Sequence, residues 1–253
     1  MNRKALAELS GSVALGAWAA FTVLALVVTG RHGAPLAPDR SLLAWSVGHR
    51  TPTTVAAARG LTATGTGVIP YALVVLAGLL VGGTRRQRLT AALLGALCLA
   101  TGQAVRYGIM ELVGRPRPPY QYWQTHASGW AFPSGHTTTS ALTAGLVIVA
   151  LCLRTGRRRV PVVLCLLAAC WAAGVGLSRV YLGVHWFTDV LGGWLFALGW
   201  LGLWLCAAAW WLPTGLINGS GEPDPPPPTD AADAPLERHA SQDPGRRGRS
   251  RPA

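Results

Sequence analysis

Residues 133–153 read PSGHTTTSALTAGLVIVALCL. A short polar turn opens directly onto an apolar run that contains no Asp, Glu, Lys or Arg. A helix of about 20 such residues crosses the hydrocarbon core of a bilayer. It also keeps every backbone hydrogen bond within itself, as lipid requires. The stretch therefore reads as a membrane-spanning helix whose polar start lies at the membrane edge.

Five more runs of the same kind lie outward from it, at residues 12–29, 67–83, 89–109, 160–177 and 186–212. Gln103 and Arg106 interrupt the third of the six spans near its end, and the last is long enough to tilt. The run at 13–28 is too long for the apolar core of a signal peptide and is read as a retained first span. The composition agrees: 51% of the 253 residues are hydrophobic and only 13% are charged, against about a quarter charged in soluble domains. The expected fold is all-α, a six-transmembrane helix bundle.

Between the first two runs, residues 31–66 hold Pro35, Pro38 and Pro52 around a mildly amphipathic stretch at 41–59, read as an interfacial helix lying on the membrane surface. Beyond residue 212 the character changes. A proline run at 225–228 and scattered charges leave too few apolar residues to fold, so 213–253 is expected to be a disordered cytoplasmic tail. Residues 1–212 form the expected domain, with its active core at about 90–212.

The net charge is +12, and Lys4 is the only lysine among 22 basic residues. Such a balance can signal nucleic-acid binding, but the placement of the charges argues against it. Arg3 and Lys4 precede the first run; Arg85, Arg86 and Arg88 lie between the second and third; Arg154, Arg157, Arg158 and Arg159 lie between the fourth and fifth; and five arginines lie in the tail. With six spans all four groups share one face, the cytoplasmic one by the positive-inside rule. Both termini are then cytoplasmic, in a multi-pass cell-membrane protein. The five cysteines all fall within apolar runs without metal-ligand spacing and read as small hydrophobes.

The same topology brings the remaining polar segments to the opposite, outer face. These are Arg115-Pro116-Arg117-Pro118, Pro133-Ser134-Gly135-His136, and Ser178-Arg179 followed by His185 and Asp189. Ionisable groups at membrane depth are costly and mark working sites. Arg117 and Arg179 are forked, permanently charged donors suited to phosphate. Ser134 and Gly135 begin a helix, where free N–H groups favour an anion, and Gly135 lets the backbone approach it. His185 and Asp189 are four residues apart across a helix start, so they share a face. A carboxylate accepting one imidazole N–H leaves the other nitrogen free as a nucleophile, and His136 has the pKa range of a general acid.

These residues resemble the signature of the type-2 phosphatidic acid phosphatase (PAP2) superfamily. Arg117-Pro118 matches the end of its first part, 133–136 the second, and Ser178-Arg179, His185 and Asp189 the third. The resemblance covers about 90–212. It implies a phosphohistidine intermediate at His185, orientation of that histidine by Asp189, and protonation of the leaving group by His136. Arg117, Ser134, Gly135 and Arg179 would hold the phosphoryl oxygens, with neither metal nor cofactor. One position departs: the family's lysine falls on Met110. Arg106, one helical turn earlier, and Arg115 nearby are the candidate replacements.

The expected activity is hydrolysis of a lipid phosphate, either a phosphatidic-acid-like monoester or a polyprenyl diphosphate, at the non-cytoplasmic face. Two alternatives stay open: transfer of the phosphoryl group to a lipid or sugar acceptor, and a weakly active or non-catalytic lipid-binding protein. His126, among Tyr120, Tyr122, Trp123 and Trp130, is read as part of an interfacial aromatic belt. Gly192, Gly193, Gly199 and Gly202 are expected at close helix contacts.

Overall fold

The computed structural model describes residues 3–81, 83–155 and 162–211. The expected tail at 213–253 and Arg157, Arg158 and Arg159 lie outside the described residues. Among those residues every regular element is helical: α1 (Arg3–Gly30), α2 (Ala37–Gly48), α3 (Pro52–Ala63), α4 (Val68–Leu79), α5 (Arg85–Val113), α6 (Gly135–Thr155), α7 (Val162–Tyr181) and α8 (Phe187–Trp211), with a 3-10 turn at Tyr120–Tyr122. Five of these are long and apolar enough to cross a membrane, namely α1, α5, α6, α7 and α8.

The sixth span is built differently from the expected single run at 67–83. Twelve residues of α4 rise only about 18 Å, short of a bilayer core of about 30 Å. Helices α3 and α4 together are long and apolar enough to cross as one span, bent by 50°. The bend falls at 64–67, where Gly67 takes φ +71°, a conformation that only glycine adopts without strain. The surface stretch expected at 41–59 is likewise two helices. Pro52 cannot continue α2, and Thr51 starts α3 by accepting from the Thr54 N–H at 3.2 Å.

The helix ends follow from local chemistry. Thr84 and Gln87 cap α5 reciprocally: the Gln87 N–H donates to Thr84 Oγ1 at 3.2 Å, and the Thr84 N–H to Gln87 Oε1 at 3.0 Å. Gly114 closes α5 in the left-handed region, φ +57°.

Small residues allow the close helix contacts. A Cβ on Gly199 would stand 2.9 Å from the Trp18 ring, and one on Gly202 would stand 2.9 Å from the Ser10 carbonyl, so α1 lies directly on α8. Around that seam the buried Phe21, Phe132 and Phe196 and the half-buried Trp18 form an aromatic cluster with ring centroids 5.3–5.9 Å apart. A second core joins α4, α5, α6 and α8 through Val74, Leu99, Leu142 and Ala197. At one end of the bundle Arg3 Nε donates to the Ala209 carbonyl (2.9 Å) and Arg154 Nη1 to the Leu80 carbonyl (3.4 Å). The three polar segments gather at the other end.

Candidate active site

The first turn of α6 is fastened to the first turn of α8. The Ser134 N–H donates to the Asp189 carbonyl at 3.0 Å, and the Ser134 carbonyl accepts from the Thr138 N–H at 3.0 Å. Thr137 Oγ1 donates to Ser134 Oγ, also at 3.0 Å. The approach depends on Gly193, where a Cβ would meet Thr137 Cβ at 2.9 Å and the Ser134 carbonyl at 3.1 Å. Gly135 faces the guanidinium of Arg106, whose Cζ would be 3.4 Å from an added Cβ.

His185 follows α7 in a tight connection and is 2% exposed. Its Nε2 lies 2.9 Å from Arg117 Nη1. A guanidinium has no acceptor, so Nε2 accepts, the ring is neutral, and the proton sits on Nδ1. That Nδ1 is 3.4 Å from Asp189 Oδ2, without hydrogen-bond geometry. Burial holds the His185 pKa well below the usual imidazole value, and the charges of Arg117 and Arg179 push it further down. Arg117 is held in place by the carbonyls of Val184 (2.8 Å), Ser128 (2.7 Å), Gly129 (2.9 Å) and Trp130 (3.0 Å).

Asp189 has firmer partners than His185. Its Oδ2 accepts from the Trp186 N–H at 2.8 Å, and its Oδ1 accepts from Arg115 Nη1. Arg115 Nη2 in turn donates to Asp39 Oδ2 at 2.8 Å, and Arg115 Nη1 also donates to Thr188 Oγ1 at 2.7 Å. All three charged side chains are fully buried. Arg115 is thus committed to two carboxylates, which leaves it no free fork for a phosphate.

Arg179, 2% exposed, donates from Nη1 to Thr62 Oγ1 at 3.1 Å, and its Nε is buried without a partner. His136 Nε2 lies 3.4 Å from Thr66 Oγ1. Arg106 donates from Nε to Gln103 Oε1 (3.1 Å), and its Nη1 rests 3.4 Å from the sulfur of the buried Met110. Four guanidiniums in this cluster (Arg106, Arg115, Arg117 and Arg179) face two carboxylates (Asp39 and Asp189). Two positive charges are left unmatched, the complement of a phosphate monoester dianion.

The geometry brings together His136, His185, Arg106, Arg117, Arg179, Ser134 and Gly135, with Asp189 beneath them. It separates Arg115 from that group by turning it toward Asp39. Sequence reading missed Asp39, Thr62, Thr66 and Thr188. Asp39 finds its partners 76 and 149 positions later in the chain, and no spacing rule reaches that far. Thr62 and Thr66 lie in an ordinary stretch whose role appears only once the span is bent, and Thr188 is read only through its contact with Asp39.

Residues 89–213 match the PAP2 superfamily. The chain belongs to the PAP2 superfamily. It is 36% identical over 112 residues to phosphatidylglycerophosphatase B of Bacillus subtilis, an alignment covering 42% of this chain and 52% of that protein. It is 37% identical over 111 residues to phosphatidylglycerophosphatase B of Escherichia coli, covering 44% and 39% respectively. The chain therefore aligns with about half or less of the length of these relatives. Among solved structures, the transmembrane PAP2-type phosphatidylglycerolphosphate phosphatase of Bacillus subtilis superposes with a TM-score of 0.64 at 27% identity, over 78% of this chain and 93% of that one.

Proposed function

We propose that this multi-pass membrane protein is a lipid phosphatase working through a phosphohistidine. The observation that carries the reading is the neutral, buried His185, whose Nε2 lone pair faces Arg117 within a cluster of unmatched positive charge. The relatives named as phosphatidylglycerophosphatases support it.

In this reading Arg106, Arg117, Arg179, the Ser134 hydroxyl and the Gly135 N–H bind the phosphoryl oxygens. His185 Nε2 attacks phosphorus: the P–N bond forms as the ester P–O bond breaks, and the His136 proton passes to the departing lipid alcohol. Water then attacks the phosphohistidine while His136 takes its proton. The P–N bond breaks and inorganic phosphate leaves. Asp189 offsets the charge that the phosphorylated imidazole acquires on its Nδ1 side. An apolar groove of about 510 Å³ between α2, α3 and α7 runs alongside, lined by Leu42, Trp45, Leu61, Leu177 and Phe187. It lets a hydrocarbon tail stay in contact with the bilayer. Residues 1–212 constitute the working unit, with both termini cytoplasmic and the site opening outward from the cell membrane, as the positive-inside rule requires.

The test is phosphate release by purified protein from phosphatidylglycerophosphate, phosphatidic acid and a polyprenyl diphosphate, with His185→Ala as control. Wild type is expected to release phosphate from at least one of these and, with labelled lipid, to carry acid-labile label on the protein. Equal release by wild type and His185→Ala sinks the reading.

A further inference from the structure

The bend between α3 and α4 is anchored at successive residues. Thr62 Oγ1 accepts from Arg179. Thr64 Oγ1 accepts from Trp171 Nε1 at 2.8 Å and donates to the Leu61 carbonyl at 2.7 Å. Gly65 is pressed so closely on Val175 that a Cβ has no room. Gly67 turns the chain with its positive φ. These contacts clamp the broken span onto α7 and leave one side chain of the bend, Thr66, pointing the other way, at His136 Nε2.

His136 lies in the same cation cluster as His185: its charge is among those that lower the His185 pKa, after burial and the two arginines. In-line displacement puts the leaving oxygen on the side of phosphorus opposite the attacking nitrogen. With His136 as the acid that protonates the leaving oxygen, the bend that touches it borders the place where the lipid alcohol departs. The 3.4 Å between this hydroxyl and Nε2 is long for a hydrogen bond, and contacts of this kind tighten when substrate fills the site.

We propose that the bend at 64–67 forms the leaving-group wall of the pocket, and that Thr66 is a positioning residue whose hydroxyl aims the His136 Nε2 proton at the departing oxygen. This rests on the phosphatase reading above. Thr66 Oγ1 accepts from Nε2–H in the free site. During transfer the Nε2–H bond of the His136 imidazolium breaks, leaving neutral imidazole, and an O–H bond forms on the alcohol as the P–O bond to phosphorus breaks. Thr66 itself gains and loses nothing.

A consequence follows that a merely structural threonine does not produce. An alkyl alcohol needs its proton in order to leave, whereas a nitrophenolate leaves without one. In Thr66→Val, kcat on a short-chain phosphatidic acid is expected to fall about tenfold, a fraction of the 10²–10⁴ that general acid catalysis supplies. On p-nitrophenyl phosphate the same variant is expected to stay near wild type, and Thr66→Ser is expected to recover most of the loss. Equal losses on both esters in Thr66→Val and Thr66→Ala alike, or no loss on either, overturn the proposal. A wild-type protein that hydrolyses neither ester instead overturns the reading of the site on which it rests.

Discussion

Arg115 Nη2 lies 2.8 Å from Asp39 Oδ2, and neither side chain has any exposed surface. Through this pair the surface helix α2 reaches the carboxylate beneath His185, because the same guanidinium also bonds Asp189. Asp39 is satisfied on every side: it also accepts from the Thr188 N–H at 2.8 Å and the Leu36 N–H at 3.0 Å. Removing one partner of a buried pair strands the other charge and costs about 3–5 kcal/mol. Asp39→Asn is expected to lower unfolding stability in detergent by that amount, read from the denaturant midpoint. A change below about 1 kcal/mol would put the pair in the class of exposed ones and refute its structural role.

Arg106 decides what Met110 means. The Met110 sulfur is already beside Arg106 Nη1, and that guanidinium covers Gly135. Since a cation stands over the turn, Met110→Lys is expected to bring no gain in phosphatase rate, and to cost stability by placing like charges together. Arg106→Gln is expected to lower kcat/KM about 10- to 100-fold, the worth of a hydrogen bond to a charged group. A clear gain from Met110→Lys, together with an unaffected Arg106→Gln, would reverse the assignment.

In the proposed mechanism the ionisation of His185 sets the acidic edge of activity. Protonation removes the nucleophile, and burial, then Arg117, then Arg179 hold its pKa well below 6.5. The edge of kcat/KM owed to this group is therefore expected below the ordinary imidazole range. Arg117→Gln removes one of the depressing charges, so the His185 pKa rises and the edge moves to higher pH. Profiles of kcat/KM against pH for the two proteins check this, and an edge that stays put or moves lower contradicts it.

Gly192 and Gly193 hold α8 against the turn that carries Ser134. A Cβ on Gly192 would collide with the Phe132 ring, and one on Gly193 would crowd Thr137. Overpacking of this kind costs about 1–3 kcal/mol. Gly193→Ala is expected to lower both stability and kcat, because the crowded atoms belong to the turn proposed to bind phosphate. Gly199→Ala is expected to lower stability alone, since the nearest atoms its Cβ would meet belong to Trp18. Unfolding and rate measured on the same preparations separate the two.

Much of this was legible in the chain. Long apolar runs need no tertiary information to become helices, because lipid leaves the backbone no other partner than itself. The glycines expected at close contacts lie at them, since only a missing side chain lets two helix backbones approach. His185 and Asp189 were paired by helical spacing, yet the structure leaves them 3.4 Å apart and gives Asp189 to Arg115 and the Trp186 N–H.

What the sequence by itself determined was the all-helical class, the alternation of apolar spans with polar ends, and the residue types able to bind a phosphate. Periodicity and charge are local properties, and they act before any helix meets another. Only the tertiary structure decided that Arg115 turns inward to Asp39 while Arg106 covers Gly135. Only there, too, does one span break at 64–67 and bring Thr62 to Arg179 and Thr66 to His136. Those choices depend on which buried charge finds a partner across 70 or more positions of chain. Burial penalises an unpaired charge far more than sequence distance does, so packing settles the pairing.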